Sequence, residues 1–138
     1  MIVKNNPFML RASNVRWRGQ SGIKEGFCEF DDLSDSIRAV AHLFMYTYRK
    51  QGIKTYRQIM CKYADLPFET DSSYMDFLVK TLQVHPDDVP DNFYKFARLL
   101  VRIAYYESSF VLDLRYTIYL IHHFKLKIYG KECKNNHP

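Results

Sequence analysis

From residue 32 onward, apolar side chains recur every three or four positions, the spacing that places them on one face of a helix. The first run follows Asp32 and Ser34, either of which can cap a helix, and it stops before Gly52, a residue that favours helix termination. Its inward positions are all apolar: Ile37, Val40, Ala41, Phe44, Met45 and Tyr48. The pattern predicts a first helix that ends near Gln51.

Four further helices are predicted by the same spacing. Thr55 and Gln58 have the spacing of a capping box and predict a short helix over residues 55–64. Breakers and capping residues predict three longer helices, over residues 71–83, 91–108 and 111–123. Residues 124–128 alternate between apolar and polar, which fits either helix or strand. Residues 131–138 are expected to fray.

The segment before residue 32 lacks this helical spacing. Residues 14–18 and 26–30 are predicted as two short strands, joined by a loop over residues 19–22 that contains Gly and Ser. A chain of 138 residues has the length of a single domain. We therefore expect one domain over residues 1–138, mainly α within the α+β class, with five helices and a small N-terminal β-hairpin.

The net charge of +5 is unevenly placed along the chain. The first 24 residues contain no acid and five bases, namely Lys4, Arg11, Arg16, Arg18 and Lys24. The C-terminal end is also basic, with Glu132 against Lys125, Lys127, Lys131 and Lys134. Such a face can attract nucleic acid, an anionic envelope polymer or an acidic protein. A solvated surface without a partner is the alternative.

Cysteine and histidine usage predicts no metal site and no cofactor. Cys28, Cys61 and Cys133 are widely spaced and show neither metal-ligand nor disulfide-framework spacing, which favours folding in a reducing cytosol. His122 and His123 are adjacent, so on a helix they diverge by about 100° and cannot share a metal. We expect no signal peptide, because polar residues and Pro7 interrupt any apolar core near the start. No membrane span is expected either, since no uncharged apolar run approaches the roughly 18–20 residues required.

The most informative motif lies between residues 4 and 30. It reads Asn5-Asn6-Pro7-Phe8-Met9-Leu10-Arg11, then Trp17-Arg18-Gly19-Gln20, then Gly26-Phe27-Cys28-Glu29-Phe30. Asn and Pro favour turns, and the bulky rings indicate a built surface rather than a disordered leader. The motif resembles a short domain of phage and prophage proteins. Its Bacteroidetes-type versions open Asn-Asn-Pro-Phe-Asn-Ile-Arg and continue with Trp-x-Gly-Gln and Gly-Phe-Cys-x-Phe.

Weaker matches in the same order extend the resemblance over residues 4–110. They are Ser36-Ile37-Arg38-Ala39, the segment from Gly52 to Met60, Tyr63-Ala64-Asp65, the segment from Glu69 to Tyr74, and Ala104-Tyr105-Tyr106-Glu107. Three positions depart from the family pattern. Met9 stands where the family has Asn, Asp65 where it has Pro, and Thr70 where it has the Asn that follows Glu. If the family Asn is functional, this copy is altered at Met9.

The resemblance implies a phage context and a lysozyme-like α+β fold. It implies action on bacterial peptidoglycan, or assembly with other phage proteins. Such a protein is made in the host cytoplasm and reaches the wall at lysis or within a virion.

Cleaving a glycan strand requires a carboxylic acid that stays protonated near neutral pH, which partial burial against apolar groups can provide. Glu107 is the first candidate, because Glu-Ser-x-Phe at a helix end resembles the catalytic signature of soluble lytic transglycosylases. In that family, however, the catalytic Glu lies early in the domain. Glu69 is the second candidate, since the phage family also has Glu there. A surface role for Glu107, or a helix-terminus role for Glu69, is the structural alternative.

Three residues are candidates for substrate binding. Trp17 offers a flat face on which a sugar or base can stack, and Arg11 offers a bidentate donor for carboxylate or phosphate. Asn6 is a candidate from its place in the motif. The alternatives are that Trp17 fills a small core beneath the hairpin and that Asn6 holds a turn.

Three functional hypotheses follow. The first is a phage-derived peptidoglycan enzyme that uses a single Glu as its acid. The second is a non-catalytic virion or wall-binding module that uses a surface containing Arg11 and Trp17. The third is a basic helical protein that binds nucleic acid; it ranks last, because charge alone supports it.

Overall fold

The computed structural model of the protein describes residues 2–66 and 72–130. This part is mainly helical and contains one antiparallel hairpin with strands β1 (Gln20–Lys24) and β2 (Phe27–Phe30). The helices are α1 (Leu33–His42), α2 (Tyr56–Tyr63), α3 (Ser73–Leu82), α4 (Phe93–Ser108) and α5 (Leu114–His123). A π-helical segment over Leu43–Tyr48 continues α1. The predicted class, mainly α within α+β with five helices and a small hairpin, is confirmed.

Capping side chains fix where the helices begin. Asp32 caps α1 and Thr55 caps α2, each in a reciprocal capping box with the residue three positions on. Helices α4 and α5 begin slightly later than predicted. The reason is local: Asn92 and Asp113, rather than the residues before them, supply the oxygens that accept the first free N–H groups.

Other predicted boundaries have mixed outcomes. Residues 124–128, whose alternation fits helix or strand, form neither. Ser72 caps α3, whereas the start predicted at Asp71 lies outside the described residues, as does the tail of residues 131–138. Among the helices that the structure describes, none is both long and apolar enough to cross a membrane.

The first strand of the hairpin was predicted in the wrong place. Residues 14–18 form no strand, and β1 instead occupies most of the region predicted as a loop. The turn decides this: Glu25 and Gly26 have φ values of 51° and 87°, as a tight two-residue hairpin turn requires. That turn joins β1 directly to β2, and the second predicted strand is confirmed to within one residue.

The N-terminal segment packs onto the hairpin and the helices. A backbone hydrogen bond of 3.2 Å closes the tight turn at Pro7, and the Phe8 side chain is fully buried, as expected for an ordered motif. The hydroxyl of Tyr63, at the end of α2, donates to the carbonyl oxygen of Phe8 at 2.7 Å. The hydroxyl of Ser108, at the end of α4, donates to the carbonyl oxygen of Pro7 at 2.7 Å. These two bonds attach the segment to both helices.

The hydrophobic core lies where α1, α4, α5 and β2 meet. Helix α4 packs against α1, α3 and α5, and α1 also packs against β2. Four aromatic side chains in this core are fully buried: Phe8, Phe30, Phe44 and Phe96. This packing brings the last turn of α4 beside the first turn of α3 and the N-terminal segment.

Candidate active site around Glu107

Glu107 lies in the last turn of α4, with a partly buried side chain. Its Oε2 accepts a hydrogen bond of 2.8 Å from the hydroxyl of Tyr74, in the first turn of α3. Tyr74 is itself buried, and its ring stacks on that of Tyr106 with centroids 3.9 Å apart. The carboxyl group is therefore held by a rigid aromatic donor.

Burial raises the pKa of Glu107, because removal from water disfavours the charged carboxylate. The hydrogen bond from Tyr74 and the positive charge of Arg11 act in the opposite direction, but burial is the largest effect. Burial and the nearby carboxylate also raise the pKa of Tyr74, so Tyr74 remains a hydrogen-bond donor. A carboxyl with a raised pKa is suited to proton donation.

A cavity of about 230 Å³ opens beside this carboxyl. It is lined by Met9, Arg11, Phe27, Tyr63, Ala64, Tyr74, Tyr106 and Glu107. The exposed Arg11 reaches this cavity because its backbone pairs with that of Phe27 in β2 through an isolated antiparallel β-bridge. Glu107 and Met9 also line a neighbouring cavity of about 330 Å³, formed largely by residues 2–9. The structure thus brings Arg11 and Glu107 into one cavity, although 96 positions (107 − 11) separate them in the chain.

Met9, which lines both cavities, has a left-handed backbone with φ of 52°. This is also the position where the resembled phage domain has Asn. Asn adopts the left-handed conformation more readily than Met does, since its side chain can hydrogen-bond locally. The departure from the motif therefore falls on a strained residue.

Met9→Asn is expected to raise the free energy of unfolding by about 0.5–1 kcal/mol, because it relieves part of this backbone strain. Urea denaturation of the variant and of wild type measures the change. Met9→Leu is the matched control, since Leu gains nothing in the left-handed region. An equal rise in both variants would contradict the strain at Met9.

Tyr74→Phe is expected to raise the pKa of Glu107 further, because it removes a hydrogen bond that favours the ionised form. It should also lower the free energy of unfolding by about 1–3 kcal/mol, since the carboxyl loses its partner. Carboxyl ¹³C NMR across a pH titration reports the pKa directly. Tyr105→Phe is the control, because Tyr105 is exposed and does not line the cavity beside Glu107. An unchanged titration in Tyr74→Phe would contradict the contact.

Asn6, a predicted substrate-binding residue, is almost fully buried. Its Nδ2 donates to the carbonyl oxygens of Leu10 at 3.0 Å and Cys28 at 2.8 Å, and its Oδ1 accepts from the N–H of Leu10 at 3.0 Å. These bonds hold the N-terminal segment against β2 and match the turn-holding alternative. Glu69, the second candidate acid, lies outside the described residues.

Trp17 is half-buried and packs against the core, as the structural alternative expects. It also lines a cavity of about 200 Å³ that shares no lining residue with the Glu107 cavity. Arg11 and Trp17 therefore lie in two separate cavities rather than in one.

Tyr74 is the member of this site that sequence reasoning missed as a functional residue. Its place in the helical pattern of α3 identifies it as an inward position, and this is correct. Its role depends on the packing of α3 against α4, which aligns its hydroxyl with a carboxyl 33 positions away. The motif match from Glu69 to Tyr74 was the available signal.

The cysteine thiols and the possible metal ligands give weaker support for a catalytic site than Glu107 does. Burial raises the pKa of the Cys28 and Cys61 thiols, which disfavours the nucleophilic thiolate. Within residues 2–66 and 72–130, no group of three or more His, Cys, Asp or Glu side chains is arranged to hold a metal ion.

A scan of protein-family models and a search of curated proteins find no match to this chain.

Proposed function

We propose that this protein cleaves glycan strands of bacterial peptidoglycan, with Glu107 as the general acid. The observation that carries the proposal is a partly buried carboxyl with a raised pKa, fixed by Tyr74 at 2.8 Å and facing a cavity. A catalytic acid in a cleft combines these features. The resemblance of residues 4–110 to the phage domain supplies the polymer and the phage context.

In this mechanism, protonated Glu107 donates its proton to the glycosidic oxygen as the bond from that oxygen to the sugar carbon breaks. Glu107 is the only carboxylate among the described residues that line its cavity. Most glycosidases require a second carboxylate, whereas transglycosylases use a hydroxyl of the sugar itself as the nucleophile. The single carboxyl therefore favours a transglycosylase-type reaction, after which ionised Glu107 accepts the proton of that hydroxyl.

The other side chains of the cavity fit a sugar chain. Arg11 is exposed and can donate hydrogen bonds to acetamido or carboxylate oxygens, while its charge stabilises Glu107 after proton transfer. Tyr106 stacks one face of its ring on Tyr74 and is 39% exposed, so the rest of the ring can contact a sugar. The basic N-terminal segment also suits an anionic envelope. We place the site of action at the wall, reached at lysis or within a virion.

A non-catalytic wall-binding or virion module is the second candidate. Exposed aromatic side chains favour it. They lie near the end of α4, in the loop that follows, and on α5, and they are Tyr105, Tyr106, Phe110, Tyr116 and Tyr119. Such rings can bind a glycan or another phage protein without any chemistry.

The test is incubation of the purified protein with isolated sacculi, followed by mass spectrometry of the released fragments. Soluble fragments that end in an internally bridged (anhydro) sugar are expected, because no water is added in a transglycosylase reaction. Fragments with an added water would indicate hydrolysis instead. No release, together with sacculus pull-down by the same protein, would overturn the enzymatic proposal in favour of the binding module.

A further inference from the structure

The Trp17-Arg18-Gly19-Gln20 motif forms a rigid loop against α1. The side-chain Oε1 of Gln20 accepts the backbone N–H of Trp17 at 3.0 Å. Gly19 has φ of 78°, a conformation that L side chains rarely adopt, and a Cβ added there would meet the side chain of Asp35. The loop thereby places Trp17 and Arg18 beside α1 residues at one cavity.

The cavity of about 200 Å³ beneath this loop carries positive charge. It is lined by Trp17, Arg18, Asp35, Arg38, Ala39 and His42. The two guanidinium groups outnumber the one carboxylate, and that carboxylate already accepts the backbone N–H of Asp32 at 3.2 Å within the α1 capping box. Neither Arg18 nor Arg38 forms an ion pair with any described residue. Arg38 lies over the ring of Phe124 at 4.8 Å, which orients it.

His42 lines the same cavity, and its ring meets the Trp17 ring edge-on with centroids 6.1 Å apart. Its Nδ1 is buried and has no hydrogen-bond partner in the described part of the chain, although buried polar atoms are normally paired. Burial and the charge of Arg38 lower the pKa of His42, which favours the neutral imidazole. The π-helical segment begins at the next residue, and such segments occur frequently at functional sites.

We infer that the Trp17 cavity is a binding site for a sugar ring that carries a carboxylate. Trp17 contacts the ring, and Arg18 and Arg38 bind the carboxylate. The cavity is smaller than typical ligand pockets of about 300–1,000 Å³, so it fits one ring of a longer chain. The choice of a sugar over other ring-bearing anions rests on the proposed function. The site itself is separate from Glu107 and needs no catalysis.

The test uses the indole N–H signal of Trp17, the one tryptophan of the chain, in ¹⁵N NMR spectra of the full-length protein. N-acetylmuramic acid and glucuronic acid are expected to shift this signal, and neutral N-acetylglucosamine at the same concentration is not. Arg18→Gln should weaken binding of both acids about tenfold, since a charge-assisted bond is lost. Arg115→Gln is the matched control, because Arg115 is exposed on α5 and lies outside the cavity.

Three results would overturn the inference: an unmoved Trp17 signal, equal binding of the neutral sugar, or tighter binding of uridine monophosphate than of either acidic sugar. Binding of glucuronic acid without N-acetylmuramic acid would support the site while contradicting peptidoglycan as the substrate. Glu107→Gln should leave binding unchanged. Loss of sacculus turnover in that variant, with sugar binding intact, separates the acid at Glu107 from the site at Trp17.

Discussion

Replacing Glu107 by Gln is expected to lower the rate of fragment release from sacculi by about 100- to 10,000-fold, the usual contribution of a general acid. Gln has the same shape and can still accept the hydroxyl of Tyr74, but it has no proton to transfer. Timed release of soluble fragments measures the effect. Glu25→Gln, at the exposed hairpin turn, is the control and should keep the wild-type rate.

Measuring stability and activity of Glu107→Gln and of wild type across a range of pH separates the effect on catalysis from the effect on folding. Because burial raises the pKa of Glu107, the folded state holds this proton more tightly than the unfolded state does. Its contribution to stability is therefore present at low pH and is lost as pH rises through the folded pKa. Glu107→Gln should remove this loss, and wild-type activity should fall over the same pH range. Turnover that survives in both Glu107→Gln and Glu69→Gln would rule out the single-acid mechanism.

Phe8→Ala is expected to lower the free energy of unfolding by about 3–5 kcal/mol, the range for truncation of a fully buried Phe. The ring joins the N-terminal motif to the common core, so its loss leaves a cavity beneath that segment. Urea denaturation followed by circular dichroism measures the change.

Phe110→Ala is the matched control, because Phe110 is 38% exposed. This substitution should lower the free energy of unfolding by less than about 1 kcal/mol. Deletion of residues 1–11 tests the same packing without a point mutation. A truncated protein that melts with the full-length protein would show that the segment adds nothing to stability.

The sequence by itself determined the helical part of this protein. Helix starts depend on short-range chemistry, in which a side-chain oxygen meets an N–H two or three residues later, as at Asp32 and Thr55. Apolar spacing likewise identified buried positions of the first helix, among them Ile37, Val40 and Ala41. The hairpin was the exception, because residues 14–18 have a strand-like composition while the turn at Glu25 and Gly26 sets the pairing.

The sequence predicted individual residues of the candidate site but not which of them lie together. Glu107 and Arg11 each stood out by residue type and motif, but nothing local indicated that they share a cavity. Trp17 stood out equally and lies in another cavity. The π-helical segment after His42 was not predicted either, since the apolar spacing of residues 37–48 indicates a continuous α-helix.

Tertiary structure decided which chemistry these residues can perform. The pKa of Glu107 is set by burial and by Tyr74, and both depend on how α3 packs against α4. Desolvation and hydrogen bonding act through space over a few ångströms, so residues 33 positions apart become partners only once the helices have packed. Caps and apolar faces can be predicted from the sequence because their interactions span one helical turn, whereas the raised pKa of Glu107 depends on the tertiary structure.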